Sequence, residues 1–105
     1  MRFAISMLFL APLFAQGPNL KVLKPTDNVR AVMQTFTTGL GVRCDFCHVQ
    51  GDYGNDSKPE KITARKMYTM MAQVNADLGG APKVSCYTCH RGSSHPLMAP
   101  PAGGQ

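Results

Sequence analysis

Apolar residues recur at helical spacing twice along the chain, and each run breaks off at glycine shortly before a cluster of cysteine and histidine. In the first run Val29, Val32, Met33, Phe36 and Leu40 share one face. Thr26 is a good N-cap, Asp27 suits the first turn and Gly39 is placed to stop the helix, so a helix is predicted over Asp27–Thr38. In the second run Met67, Met70, Met71, Val74 and Leu78 form the face. Ser57-Lys58-Pro59-Glu60 ahead of it reads as a capping box with proline in the first turn, and Gly79-Gly80 ends it. Gly17–Pro25 is an extended lead-in, and Gln50–Lys58 is a polar loop rich in Gly, Asp and Asn. No segment alternates like a strand, so the expected class is mainly α, helix and loop with little or no sheet.

The pattern also repeats. Gly41-Val42-Arg43-Cys44 and Lys83-Val84-Ser85-Cys86 echo each other, each at the end of a helix–turn unit, which predicts two similar modules. Ahead of them, Met1-Arg2 and the apolar run Phe3–Leu13 read as a secretory signal peptide over residues 1–17, too short for an ordinary membrane span. Neither candidate cleavage point is ideal, and an uncleaved anchor is the rival reading. Residues 18–95 then form one small domain, and residues 96–105 an irregular tail rich in Pro and Gly.

The cysteines carry the chemistry. Cys44-Asp45-Phe46-Cys47-His48 and Cys86-Tyr87-Thr88-Cys89-His90 are both C-x-x-C-H, the attachment sequence of a c-type haem, and they use all 4 cysteines in the chain. Two thiols at that spacing reach the two vinyl groups on one porphyrin edge, and the following histidine places an imidazole at the iron. Zinc ribbons separate their cysteine pairs by about 15–20 residues, whereas 38 residues lie between Cys47 and Cys86. A disulfide framework suits an exported chain but leaves the paired histidines without a role, and a thioredoxin-like motif needs a βαβ context. The reading is two covalently bound haem c groups, through Cys44 and Cys47 with His48, and through Cys86 and Cys89 with His90. Roughly 90 residues without Trp make a marginal core; two large flat apolar groups would serve as that core.

Charge changes the picture little. Of 11 Lys and Arg, all but Arg2 lie beyond the signal, against 6 Asp and Glu. They form no block, and two haems would bring four propionates, so counter-charge is the better account and nucleic-acid binding is not expected.

A haem iron with one proximal histidine needs a second axial donor or stays open. Met33 is the only methionine on the first helix, 11 residues before Cys44, while Met67, Met70 and Met71 all qualify on the second. Methionines on a helix face are also ordinary flexible core residues, and periodicity alone does not choose among the three.

Gly41–His48, Lys61–Met70 and Val84–Gly92 resemble the cytochrome c subunit of photosynthetic reaction centres, the Ala64-Arg65-Lys66-Met67 helix followed by Cys86-Tyr87-Thr88-Cys89-His90-Arg91-Gly92 being the most specific part. In that family a helix runs alongside each haem into C-x-x-C-H, and a Met from the helix is usually the sixth ligand. The resemblance, over roughly Asp27–Gly92, implies that Met33 ligates the haem on His48 and Met67 the haem on His90. The family subunit carries four haems as two tandem pairs, and its segment after the second helix supplies a His to the other pair. Here there is one pair, and Ala76–Lys83 holds no His. His95 lies in the tail and is expected to be exposed.

The combined expectation is a small exported bacterial dihaem c-type cytochrome, periplasmic, with no membrane span after signal cleavage. It carries single electrons between redox partner proteins, a membrane electron-transfer complex among the candidates, and is not an enzyme. The rival is a haem enzyme or small-molecule sensor with one open iron position. Against it stand the helix before each motif and the lack of a distal acid–base group.

Overall fold

The computed structural model describes residues 19–102. The signal-peptide region therefore lies outside the described residues, as does the end of the tail. The elements run α1 (Val29–Leu40), a single 3-10 turn (Cys44–Phe46), α2 (Pro59–Asp77) and α3 (Cys86–His90). Among the described residues there is no strand, only one isolated antiparallel bridge between Val49 and Asp52. The mainly helical expectation holds.

The helix ends differ from the sequence reading in instructive ways. Thr26 does not cap α1. Asp27 turns its carboxylate back to accept from the Lys24 N–H at 2.7 Å, and its own N–H bonds the Lys24 carbonyl, so Thr26 and Asp27 belong to a turn. The helix starts two residues later, where Asn28 Oδ1 accepts from the Ala31 N–H at 3.1 Å. At the other end Gly39 does not stop α1; Gly41 does, in the left-handed conformation with φ 65°. The Ser57–Glu60 capping box does not form either. The Ser57 N–H is taken by Asn55 Oδ1 at 2.7 Å, and α2 begins after Lys58 without a side-chain cap. A capping box appears instead on α3, where the Ser85 N–H donates to Thr88 Oγ1 at 2.9 Å. Gly79 and Gly80 end α2 as expected, and the Gly80 N–H closes on the Asn75 carbonyl at 2.8 Å.

Gly39 has a different task. It is buried where α1 packs on α3, and a Cβ there would lie 2.6 Å from Cys86 Cβ and 2.9 Å from the Tyr87 nitrogen. Two residues on, a side chain at Gly41 would run into the Gly92 carbonyl. The Gly92 N–H in turn donates to the Gly39 carbonyl at 2.8 Å. The end of α1 and the second C-x-x-C-H turn thus touch backbone to backbone, and Cys44 follows only three residues after Gly41. Phe36 and Tyr68 stack with ring centroids 6.0 Å apart and tie α1 to α2.

No apolar side chain among the described residues is buried; only Gly39 and Lys61 are. Met67, Met70, Val74 and Leu78 on α2 are not covered by other parts of the polypeptide. Polar contacts at both ends of α2 and the Phe36–Tyr68 stack near its middle fix the helix.

Candidate functional site

Both C-x-x-C-H segments form short helical turns, and this follows from their local sequence. In the first, the 3-10 turn at Cys44 brings the His48 N–H to the Cys44 carbonyl at 3.0 Å. In the second, Ser85 and Thr88 cap a helix that ends on His90, after which Arg91 takes the left-handed conformation with φ 53°. One turn of helix puts the two sulfurs of each pair and the following imidazole on neighbouring positions. Cys44 and Cys89 are exposed, Cys47 and Cys86 half-buried, and no disulfide joins any of them. Burial pushes the Cys47 thiol above its ordinary value, with Glu60 adding in the same direction and Lys58 opposing.

The imidazoles are oriented in the same way twice. His48 Nδ1 lies 2.9 Å from the Tyr53 carbonyl, and His90 Nδ1 lies 2.9 Å from the Ser93 carbonyl. A carbonyl can only accept, so each Nδ1 carries a proton, and in the neutral ring that leaves the lone pair on Nε2. That is the tautomer a metal-ligating histidine needs, with the ring fixed by its outer hydrogen bond. Short turns deliver the two carbonyls. After His48 the chain doubles back through the Val49–Asp52 bridge, with Gly51 at φ 79°. The Tyr53 ring then stands edge-on to the His48 ring at 5.4 Å between centroids. After His90 the Arg91-Gly92 reversal returns Ser93, whose N–H also bonds the His90 carbonyl at 3.0 Å.

The methionines are placed less tightly. Met33 is half-buried on α1, while Met67 and Met70 on α2 are 43% and 53% exposed and Met71 is half-buried. Met70 lines a groove with Val22, Arg65 and Val74, on the side facing the lead-in. Asn75 marks another side of α2. Its Oδ1 accepts from the Lys83 and Val84 N–H groups at 2.8 and 2.9 Å, and its Nδ2 donates to the Val84 carbonyl at 3.0 Å. Met67 and Met71 precede Asn75 by eight and four residues, so at about 100° per residue they fall within a quarter-turn of its side, and Met70 does not. His95 is exposed, as expected.

The donor set fits a covalently held porphyrin better than a metal ion alone. Among the described residues no three of His, Cys, Asp and Glu converge as an ion site. Each module has two thiols and one imidazole held through Nδ1, and α2 carries apolar side chains that the polypeptide does not cover.

Sequence reasoning missed the polar framework around His48. Lys61 is 7% exposed, and its ammonium donates to the Tyr53 carbonyl at 2.7 Å and the Asn55 carbonyl at 3.1 Å. Asp56 receives Lys61 and Arg65 at 3.0 Å each and Lys21 at 2.9 Å. Hydrogen bonds from Arg65, Lys21 and Lys61 hold the Asp56 carboxyl well below the usual carboxylate range. Asn19 joins the cluster, donating to the Gly54 carbonyl and to Asp56, while Arg65 donates to the Asn19 carbonyl. Lys58 also donates to the Asp45 carbonyl inside the first attachment turn. Three basic residues read from sequence as general counter-charge are thus committed to one carboxylate. Such a hub has no signature in spacing, because its members come from three separate segments.

The family model for the photosynthetic reaction centre cytochrome C subunit matches residues 15–99. The photosynthetic reaction center cytochrome c subunit of Thermochromatium tepidum is 32% identical over 88 residues, covering 77% of this chain and 22% of that protein. The subunit from Rubrivivax gelatinosus is 39% identical over 81 residues, covering 74% and 21%. Cytochrome c-554 of Chloroflexus aurantiacus is 36% identical over 72 residues, covering 62% and 17%. The chain spans about a fifth of the length of these relatives. No solved structure matches it significantly. With the match running through both attachment turns and the helices that lead into them, the chain belongs to the photosynthetic reaction centre cytochrome c subunit family.

Proposed function

We propose that this protein is an electron carrier, not an enzyme, holding two covalent haem c groups and exported to the periplasmic side of a bacterial inner membrane. The observation that carries the reading is the duplicated turn in which two thiols precede an imidazole whose Nδ1 proton is locked onto a backbone carbonyl. Bound haem would supply a one-electron iron couple whose potential is set by axial ligands, hydrogen bonding and burial. The chain's own residues do the rest. Cys44, Cys47, Cys86 and Cys89 would form the thioether links, and His48 and His90 would offer Nε2 to the irons.

Met33 would hold the haem iron together with His48, and Met67 together with His90. Family resemblance supports both, and it is what chooses Met67 among the three methionines of α2. The close approach of Gly39 to Cys86, with Cys44 following α1 so soon, supports two attachment turns near each other. Partners are redox proteins. Several relatives are named as reaction centre subunits, which makes a membrane electron-transfer complex the first candidate. Among the described residues no helix is long and apolar enough to cross a membrane.

Expression in a host competent for cytochrome c maturation tests this directly. Intact mass should equal the mature chain plus two haems. Met33→Ala and Met67→Ala should each abolish the sulfur-to-iron charge-transfer band of one ferric haem and lower that haem's potential. A colourless product that retains zinc would defeat the haem reading. Loss of a band in Met70→Ala or Met71→Ala, but not in Met67→Ala, would move the ligand along the helix.

A further inference from the structure

We propose that Lys61 is a positioning residue that raises the reduction potential of the His48 haem relative to the His90 haem. The inference rests on the haem reading above. Its starting point is a misfit. Lys61 is the third residue of α2, where a cation opposes the helix dipole, and its side chain is buried. A buried ammonium persists only when its protons are taken. Here the Tyr53 and Asn55 carbonyls and the Asp56 carboxylate take them.

The Tyr53 carbonyl is the link to function, because it accepts from both Lys61 Nζ and His48 Nδ1. A carbonyl already polarised by an ammonium is a weaker acceptor for the imidazole N–H. The His48 ring then gains less imidazolate character and donates less electron density to ferric iron, which favours the ferrous form. Direct electrostatics have the same sign. Lys61 places its ammonium on the same carbonyl that accepts from His48, and its one carboxylate partner is Asp56. Ferric iron carries one more positive charge than ferrous, so the Lys61 cation disfavours it. At the second module the Ser93 carbonyl accepts from His90 and from no lysine or arginine among the described residues. The two proximal hydrogen bonds are alike in length and different in electrostatic setting.

The test is a spectroscopic redox titration of the full-length holoprotein, with each wave assigned through the paramagnetically shifted ring protons of His48 and His90. Lys61→Met should lower the reduced-to-oxidised ratio of the His48 haem about tenfold at fixed ambient potential, equivalent to about 59 mV for a one-electron couple. The His90 haem should move far less. Lys61→Arg, which keeps the charge, should restore most of the difference. Asp56→Asn should move the His48 haem the opposite way, because it leaves the cations less neutralised. A loop that merely loosened would shift both variants in one direction. No shift, an equal shift of both haems, or the same sign in Lys61→Met and Asp56→Asn would overturn the proposal. Where Lys61→Met fails to mature, Asp56→Asn decides alone: a rise confined to the His48 haem sustains the proposal, and anything else overturns it. A wild-type chain without covalent haem would overturn the functional reading itself, and intact mass shows that separately.

Discussion

Gly39 and Gly41 look alike in the sequence and do different work. Gly41 needs the left-handed conformation that ends α1, whereas Gly39 is helical and needs only to be small. An alanine methyl at Gly39 would press on Cys86 Cβ and on backbone, neither of which can swing aside as a flexible side-chain end would. Gly39→Ala should therefore cost about 1–3 kcal/mol, the usual range for overpacking. It should also disturb the Cys86 turn more than the Cys44 turn. Denaturant unfolding of the holoprotein measures the first effect, and the yield of singly attached protein by intact mass measures the second. Nothing in the hydrophobic pattern separates the two glycines. Their difference lies in what α1 meets in space.

Among the elements, α2 shows how far periodicity reaches. Its apolar face was correctly placed on a helix, and Gly79-Gly80 correctly ended it. The polypeptide leaves that face uncovered, and the contacts that fix the helix lie elsewhere: the Asp56 hub at its start, the Phe36–Tyr68 stack near its middle and Asn75 near its finish. Asn75→Ala would leave the Lys83 and Val84 N–H groups without their acceptor, at a cost of about 1–3 kcal/mol for the less exposed of them. Because Asn75 sets α2 against the segment entering Cys86, the variant should also broaden or weaken the charge-transfer band of the His90 haem and leave the His48 haem alone.

The Asp56 hub makes a pH prediction at the same scale. The folded carboxyl titrates below its unfolded value of about 3.9. Its contribution to stability is therefore complete above that value and is lost as pH falls through the lower folded one. The stability gap between the wild type and Asp56→Asn should be constant near neutrality and shrink in acid below about pH 4. A gap that stayed level down to pH 2 would mean that the three cations do not hold this carboxylate.

For the whole molecule, the close approach of α1 to the second attachment turn implies that the two modules act as a pair. Each haem should sense the oxidation state of the other and give two one-electron waves. If both irons are six-coordinate as proposed, the reduced native protein should not bind CO at neutral pH and should show negligible peroxidase turnover. Stoichiometric CO uptake, read from the visible spectrum, would point to an open iron and to the enzyme or sensor reading.

What one line of residues can state, it stated well. The two C-x-x-C-H turns, the helices before them and the absence of strand patterning are all local, because each depends on spacing within a few residues and on backbone preference. The residues that hold the pieces together were not visible there. Asn28 displaced Thr26 as the cap because Asp27 was already engaged with Lys24, and Ser57 lost its capping role to Asn55. The Gly39–Cys86 contact, the Asn75 clamp and the hub joining Asn19, Lys21, Asp56, Lys61 and Arg65 link residues from different segments. Such partners are chosen by the folded path of the chain, since a buried ammonium or amide takes whichever acceptors the fold brings within hydrogen-bond reach.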